Sequence, residues 1–302
     1  MRKKKNKIAL FTVFYPGLEL YLDDFLSSLE MQSFDDFVLV IFNDGLSTSA
    51  LKKYSLNFRI VEASGTPAKI RENGIKYLKS HGYDYVIFGD SDDFFEENRI
   101  EKSVEALSSY DIMVNDLSIV DNSGKILNDK YISNRVENNS KIENKFIIDK
   151  NIFGLTNSAV RLEKIIDTKI PENIVAVDWF LFSLALNRGA NAIFTSETKT
   201  YYRQHGSNIV GLGNLSRDII LRGVNVKKSH YEAMFENCFL EYGSLTEDFK
   251  LFEQKMNNEV RFRENYLSWL VNKKEKVFCP LWWEEIILPS KSSWDFWGVP
   301  LG

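Results

Sequence analysis

The sequence predicts an α/β protein with a mostly parallel central sheet flanked by helices, followed by a helical extension. Three observations carry that expectation. Over residues 1–110, short apolar strand-like runs alternate with helix-like segments, the pattern of a parallel sheet covered on both faces. Turn-forming residues punctuate the carboxyl ends of those runs, as in "NDG" at 43–45. Near residue 213 the alternation stops and long helical stretches begin. With 302 residues, 44% of them hydrophobic and 14% aromatic, the chain has ample apolar mass for a core.

The elements follow in order. "KIALFTVF" (7–14) is a short apolar run, read as the first strand. "LELYLDDFLSSLEMQ" (18–32) sets Leu18, Leu22, Phe25, Leu26 and Leu29 at helical spacing. "FVLVIF" (37–42) is β-branched and aromatic, and "FRIV" (58–61) is a third strand. "GTPAKIRENGIKYLKS" opens a helix with Thr66 as N-cap and Pro67 at its first position. "YDYVIF" (83–88) is a fourth strand, and "EENRIEKSVEALSS" (96–109) another helix. Between 110 and 210 the pattern mixes: two strands around Asn122-Ser123-Gly124, an apolar helix "AVDWFLFSLALNRG" (176–189) stopped by Gly189, and closing strands in "NAIF" and "TKTYYRQHG". We place a domain boundary at 213/214, giving a catalytic domain over 1–213 and a helical, aromatic-rich extension over 214–302.

Composition excludes some classes. The net charge is −4 with acids and bases interspersed, so no nucleic-acid footprint is expected. Cys238 and Cys279 suggest neither a disulfide framework nor a metal cluster, and hence a reducing compartment. No apolar run reaches the roughly 20 residues of a membrane span, and the start lacks a cleavage site. A cytoplasmic location is expected. "MRKKKNK" reads as a solvated tail, or as a basic patch for anionic lipid at the inner membrane face.

The chemistry-bearing stretch is "YVIFGDSDDFF" (85–95), where three acids gather just past a strand. Parallel sheets bind ligands beyond the carboxyl ends of their strands, so the cluster sits at a mouth. Asp90 and Asp92 can turn toward one point, where Mg²⁺ or Mn²⁺ would offset their repulsion. The alternative is an acidic loop favouring the positive N-terminus of the next helix.

In order along the chain, "FYPG", "NDG", "RENG", "DSDD", "VDWF" and "YRQHGSN" make the sequence resemble the family 2 glycosyltransferases of the GT-A fold, over about residues 8–211. The resemblance implies an inverting, metal-dependent enzyme that moves a hexosyl or deoxyhexosyl group. The donor would be a nucleotide-diphosphate sugar, UDP or dTDP favoured. The acceptor would be a hydroxyl of a saccharide or lipid-linked molecule in bacterial surface polysaccharide synthesis. It implies that Asp44 accepts from a pyrimidine imide and that Arg71 lies along the phosphates. Asp90 would sit against the ribose with Ser91 beside it, and Asp92 would ligate Mn²⁺ or Mg²⁺. Asp178 would be the general base, and His205 would approach the metal or diphosphate. Trp179 and Asn157 are candidates for acceptor contact, and acceptor specificity is expected around 153–162 and in the extension.

The match has departures. Val13-Phe14-Tyr15 replaces the usual triplet of the first strand, leaving Thr12 or Tyr15 for base contact. Asn43, Leu46, Glu72 and Val177 also differ from the family pattern. Each role has a plainer alternative: Arg71 pairing with Glu62 or Glu72, Asp178 capping its helix, His205 hydrogen-bonded in a loop. Five of the six tryptophans lie at or beyond Trp269; they suit a membrane interface, or packing on the core or on a second subunit. A sugar nucleotidyltransferase and a silent GT-A-type binding protein are the rival readings. "FYPGLEL" carries no basic phosphate loop, which weighs against the first.

Overall fold

The computed structural model describes residues 6–204, 217–274, 284 and 286–288. The chain divides into two compact units, Met1–Glu172 with Val177–His205, and Asn173–Ala176 with Gly206–Gly302.

The first unit opens with β1 (Ile8–Phe14), α1 (Leu22–Glu30), β2 (Val38–Asn43), β3 (Phe58–Glu62), α2 (Pro67–Ser80) and β4 (Tyr85–Phe88). It continues with β5 (Phe94–Phe95), α3 (Arg99–Leu107), β6 (Ile112–Val120), β7 (Ile126–Asn128), β8 (Lys141–Ile142) and β9 (Ser158–Arg161), and closes with α4 (Val177–Asn187) and β10 (Ala192–Arg203). The sheet runs β3-β2-β1-β4-β9-β6-β10-β5, with β7 on β6 and β8 on β10. The first four of these pair in parallel. β9 runs antiparallel to both β4 and β6, and β6 pairs in parallel with β10.

Most expected elements stand where the sequence puts them, with physical refinements. α1 begins four residues late because Gly17, at φ +102°, turns the chain first. α2 is capped as its sequence demands: the Thr66 hydroxyl accepts from the Lys69 N–H at 3.2 Å, and Pro67 fills the first turn. The acidic loop is followed by the short strand β5, so α3 starts at Arg99. The two expected closing strands are one, β10, with a register shift between Thr195 and Lys199. Residues 158–161, within the stretch 153–162 where acceptor specificity is expected, form β9 in the middle of the sheet; alternation in "NSAVRL" is too brief to announce a strand.

β1 is buried at every position because both sheet faces are covered. Leu10 and Phe14 belong to a core cluster with Phe25, Leu26, Leu29 and Ile100. On the other face Phe11 meets Phe42 and Phe88 edge-on at 5.4 and 6.0 Å, and Phe88 meets Phe182 of α4 at 6.2 Å. The glycine of "RENG" explains itself here. A Cβ on Gly74 would lie 2.3 Å from the Phe11 ring, so its absence lets α2 settle on the sheet.

The second unit contains α5 (Arg217–Glu236), α6 (Gly243–Asn258) and α7 (Val260–Lys274). Aromatic pairs knit it, Tyr231 with Phe249 at 5.2 Å and Phe252 with Tyr266 at 4.8 Å. One stretch with continuous helical character breaks between α6 and α7 at Glu259, whose backbone is extended. Among the described residues no helix is long and apolar enough to cross a membrane. Cys279 and Trp282, Trp283, Trp294 and Trp297 lie outside the described residues, so the interface and packing expectations for the tail are not addressed.

Gly74→Ala is expected to destabilise. Helix propensity alone would favour alanine by up to about 1 kcal/mol, but forcing a methyl into the boxed-in Phe11 ring costs about 1–3 kcal/mol. Urea unfolding should show a lower midpoint than wild type; an unchanged or higher midpoint would mean Phe11 can yield.

Candidate active site

The carboxyl ends of the parallel strands β1, β2 and β4 lie on one side of the sheet. The turn after β2 is built by Asn43, 6% exposed, whose side-chain oxygen accepts the Leu46 N–H at 3.1 Å, and by Gly45 at φ +89°. This explains why an amide suffices where an acid was expected: the position makes the turn. The Asp44 N–H donates to the Phe14 carbonyl at 2.7 Å, leaving its half-buried carboxylate at the mouth.

Across from it, the Arg71 guanidinium lies 3.9 Å from Asp90. This loose ion pair links α2 to the end of β4. The surface pairing of Arg71 with Glu72 is not what forms: Glu72 is buried and takes Lys76 and the Ile170 N–H, the latter at 3.1 Å. Asp90 keeps its side chain 38% open, yet burial, then the Asp92 charge, push it well above the carboxylate range, against the pull of Arg71 and with a further push from Asp178. Asp178, at the first turn of α4, is raised to about 6 by burial, opposed by the Trp179 N–H, Arg71 and Asn151. Its two oxygens accept from the Trp179 N–H at 2.8 Å and from Asn151 Nδ2 at 3.2 Å. Tyr15 stands half-exposed, its phenol raised by burial and by Asp92 and Asp90. Arg71, Asp90, Asp92, Asp178 and Tyr15 therefore share one electrostatic neighbourhood.

Two buried arginines hold the acid loop in place, and neither was singled out from the sequence. Arg99, wholly buried, donates to the Phe88 and Thr156 carbonyls at 2.6 and 2.7 Å and to Asn115 Oδ1 at 3.2 Å. Burial lowers its pKa to about 9, with Asp93 and Asp90 opposing, so it stays cationic at neutral pH beneath the acids. Arg203, 1% exposed, donates to the Asp92 carbonyl at 2.9 Å, the Asn122 carbonyl at 2.6 Å and Asp24 at 2.5 Å. Its own N–H reaches Asp93 Oδ1 at 2.8 Å. Asp93 is fully buried and pushed well up by burial, Asp92 and Asp90, so it is a readily protonated strut beneath the loop. Arg203 sits inside "YRQH", which offered a signal; Arg99 looked like an ordinary helix-surface residue.

Several expected contacts need correction. Ser91 is 1% exposed and donates to the Val13 carbonyl at 2.8 Å, so its hydroxyl fastens the loop to β1 and does not face a nucleotide. Thr12, 2% exposed, shares the β1 face of Leu10 and Phe14 by strand alternation and points into the core. Trp179 is fully buried with its indole N–H on the Ile147 carbonyl at 2.7 Å, and cannot meet an acceptor. Asn157, also fully buried, spends its amide on Asn115 and Ile152 carbonyls and the Gly154 N–H. In each case a polar residue near the site is consumed by the scaffold. His205 lies outside the described residues.

Among the described residues no group of three or more His, Cys, Asp or Glu side chains is arranged to enclose a metal ion. The donor chemistry nonetheless suits a hard cation. Asp90 and Asp92 offer only oxygens, and their mutual repulsion, which contributes to the rise at Asp90, is what a divalent ion would relieve. Two carboxylates leave open positions for phosphate oxygens.

Comparison with known proteins bears on the family and the fold. The model of the family described as "Glycosyl transferase family 2" matches residues 10–166. Among solved structures the chain is similar to S. aureus TarS 1–349 in complex with UDP-GlcNAc, with a TM-score of 0.58 at 16% identity over 89% of this chain and 80% of that one. It is also similar to the mannosyltransferase PcManGT from Pyrobaculum calidifontis in complex with GDP-Man and Mn²⁺, with a TM-score of 0.55 at 12% identity over 92% of this chain and 77% of that one. At these identities the likeness is one of fold. No curated protein matched the sequence.

The clamp generates a stability contrast. Arg203→Met strands buried carbonyls and is expected to cost about 3 kcal/mol. Asp24→Asn, on the exposed side of the pair, should cost under about 1 kcal/mol. Denaturant unfolding of both variants checks this; equal losses would mean that the ion pair, not the carbonyl contacts, holds the loop.

Proposed function

The chain belongs to glycosyl transferase family 2 and is a glycosyltransferase, and we propose that it transfers a sugar with inversion from a nucleoside-diphosphate donor to an acceptor hydroxyl, using Asp178 as base. The observation that carries this reading is the electrostatic contact of Asp178 from α4, Arg71 from α2 and Asp90 from the end of β4. A pyrimidine nucleotide is favoured because the uncommitted Asp44 carboxylate at the end of β2 suits an imide N–H. The TarS structure holds UDP-GlcNAc, which is compatible with that choice. A saccharide or lipid-linked acceptor of surface polysaccharide synthesis fits the family resemblance.

In this scheme Arg71 lies along the diphosphate and draws its charge from the reacting carbon. Asp90 meets the ribose, and Tyr15 borders the same pocket. Asp92 would hold Mn²⁺ or Mg²⁺, which when bound neutralises the departing diphosphate. The acceptor oxygen attacks the anomeric carbon from the side opposite the phosphate. The carbon–oxygen bond to phosphate breaks, the electron pair leaves with the nucleoside diphosphate, and the acceptor proton passes to Asp178. A single displacement inverts the anomeric centre.

Asp178 must be ionised to accept that proton. Because its pKa is raised to about 6, turnover should be full above that pH and fall as pH drops through it. The test incubates the protein with Mn²⁺, UDP-, dTDP- and GDP-sugars and saccharide or lipid-linked acceptors, and follows nucleoside diphosphate release. Asp178→Asn should lose about 10²–10⁴-fold in kcat while donor affinity by calorimetry stays within twofold. Wild-type turnover in that variant, or formation of a sugar nucleotide from sugar phosphate and nucleoside triphosphate, would overturn the proposal.

A further inference from the structure

Asn151 is a buried amide, 3% exposed, in the irregular segment before β9. Placing an amide there is costly unless its polar atoms are satisfied, and the way they are satisfied is informative. Its side-chain oxygen accepts the Phe153 N–H at 3.0 Å, and its nitrogen donates to the Phe153 carbonyl at 3.0 Å. The same nitrogen donates to Asp178 Oδ2 at 3.2 Å. Only one orientation of the amide satisfies all three contacts, because the Phe153 carbonyl and the Asp178 carboxylate both require a donor. The clasp on Phe153 therefore aims one N–H at the carboxylate and leaves the amide no freedom to turn away.

The clasp is itself anchored on the helix that carries Asp178. Phe153 is fully buried and packs on Phe182 with ring centroids 5.2 Å apart. Phe182 lies one turn after Asp178 on α4, on the same face. Asn151, Phe153, Phe182 and Asp178 close a small ring of contacts, so any shift of the segment relative to α4 is resisted at both ends. The Asp178 carboxylate then presents its remaining lone pairs in a fixed direction.

We propose that Asn151 is a positioning residue that orients the Asp178 carboxylate and favours its charged form, an inference that rests on the reading of Asp178 as base. A hydrogen bond donated to a carboxylate stabilises the anion, so losing it makes protonation easier. The other groups facing Asp178 are Arg71 from α2, which also favours the anion, Asp90 from the end of β4, which opposes it, and the Trp179 N–H of its own helix. Like the Trp179 N–H, Asn151 is neutral and stabilises the anion without adding a charge to compete for the leaving phosphates.

The test uses the full chain, and its titration needs no sugar donor. Carboxyl carbons of ¹³C-aspartate-labelled protein are titrated, with Asp178→Asn assigning the resonance. Asn151→Ser removes the amide N–H and leaves only a shorter hydroxyl, and Asn151→Asp keeps the acceptor for the Phe153 N–H while replacing the N–H donor by a carboxylate. Near-UV circular dichroism checks that each is folded. The Asp178 midpoint should rise by about one pH unit in Asn151→Ser and further in Asn151→Asp, with kcat down about tenfold and donor KM unchanged. An unmoved midpoint in either folded variant overturns the proposal, as does a loss of kcat with the midpoint unmoved, since that is a structural effect alone. Wild-type turnover in Asp178→Asn would instead sink the base reading, and the midpoints would still report on Asn151 by themselves.

Discussion

Like charges held close together govern this structure. Asp90, Asp92 and Asp93 lie within electrostatic reach of one another, and Asp178 within reach of Asp90, in surroundings that push three of the four above the carboxylate range. Such a cluster disperses unless its backbone is fixed independently of the charges. Arg99 and Arg203 supply that fixation by binding carbonyls, with the guanidinium fork satisfying several segments at once. Asp93 is spent as a buried strut, and Ser91 ties the loop to β1. Asp90 is then held beside Arg71, with Asp178 in reach of both.

The sheet decides which carboxylates those are. The parallel core β3-β2-β1-β4 delivers Asp44, Tyr15 and Asp90 to one edge because parallel strands end on the same side. β9 runs backwards between β4 and β6 and brings the 151–157 segment beside the acid loop. β10 returns in parallel to β6 and carries Arg203 to the same place. The site thus follows from strand direction: Asp44, Tyr15 and Asp90 lie one or two positions beyond strand ends, Arg203 closes β10, and Arg71 and Asp178 sit in the first turns of helices.

Much of this was legible in the sequence where local chemistry is strong. Thr66-Pro67 starts α2, apolar runs mark β1, β2 and β4, and "NDG" and "DSDD" fall at strand ends where ligands bind. What was not legible is how polar side chains divide between scaffold and cleft. Ser91, Thr12, Asn157 and Trp179 have the composition of site residues and are consumed by backbone partners or core packing. Arg99 and Asn151 have the look of ordinary residues; Arg99 gains its role from partners 11 to 57 positions away and Asn151 from Asp178, 27 away. Strand β9 escaped because a central strand of four residues carries no period of its own. Long-range hydrogen bonding leaves no local trace, and these are the places where reading along the chain failed.

The central claim is that Asp92 and its neighbours converge on one cation shared with a nucleotide. Calorimetric titration of UDP into the protein, with and without Mn²⁺, in wild type and Asp92→Ala, addresses it most directly. The account predicts UDP binding that depends on Mn²⁺ in wild type and is lost or weakened at least tenfold in the variant. Equal affinity in all four titrations, or no binding in any, would contradict it.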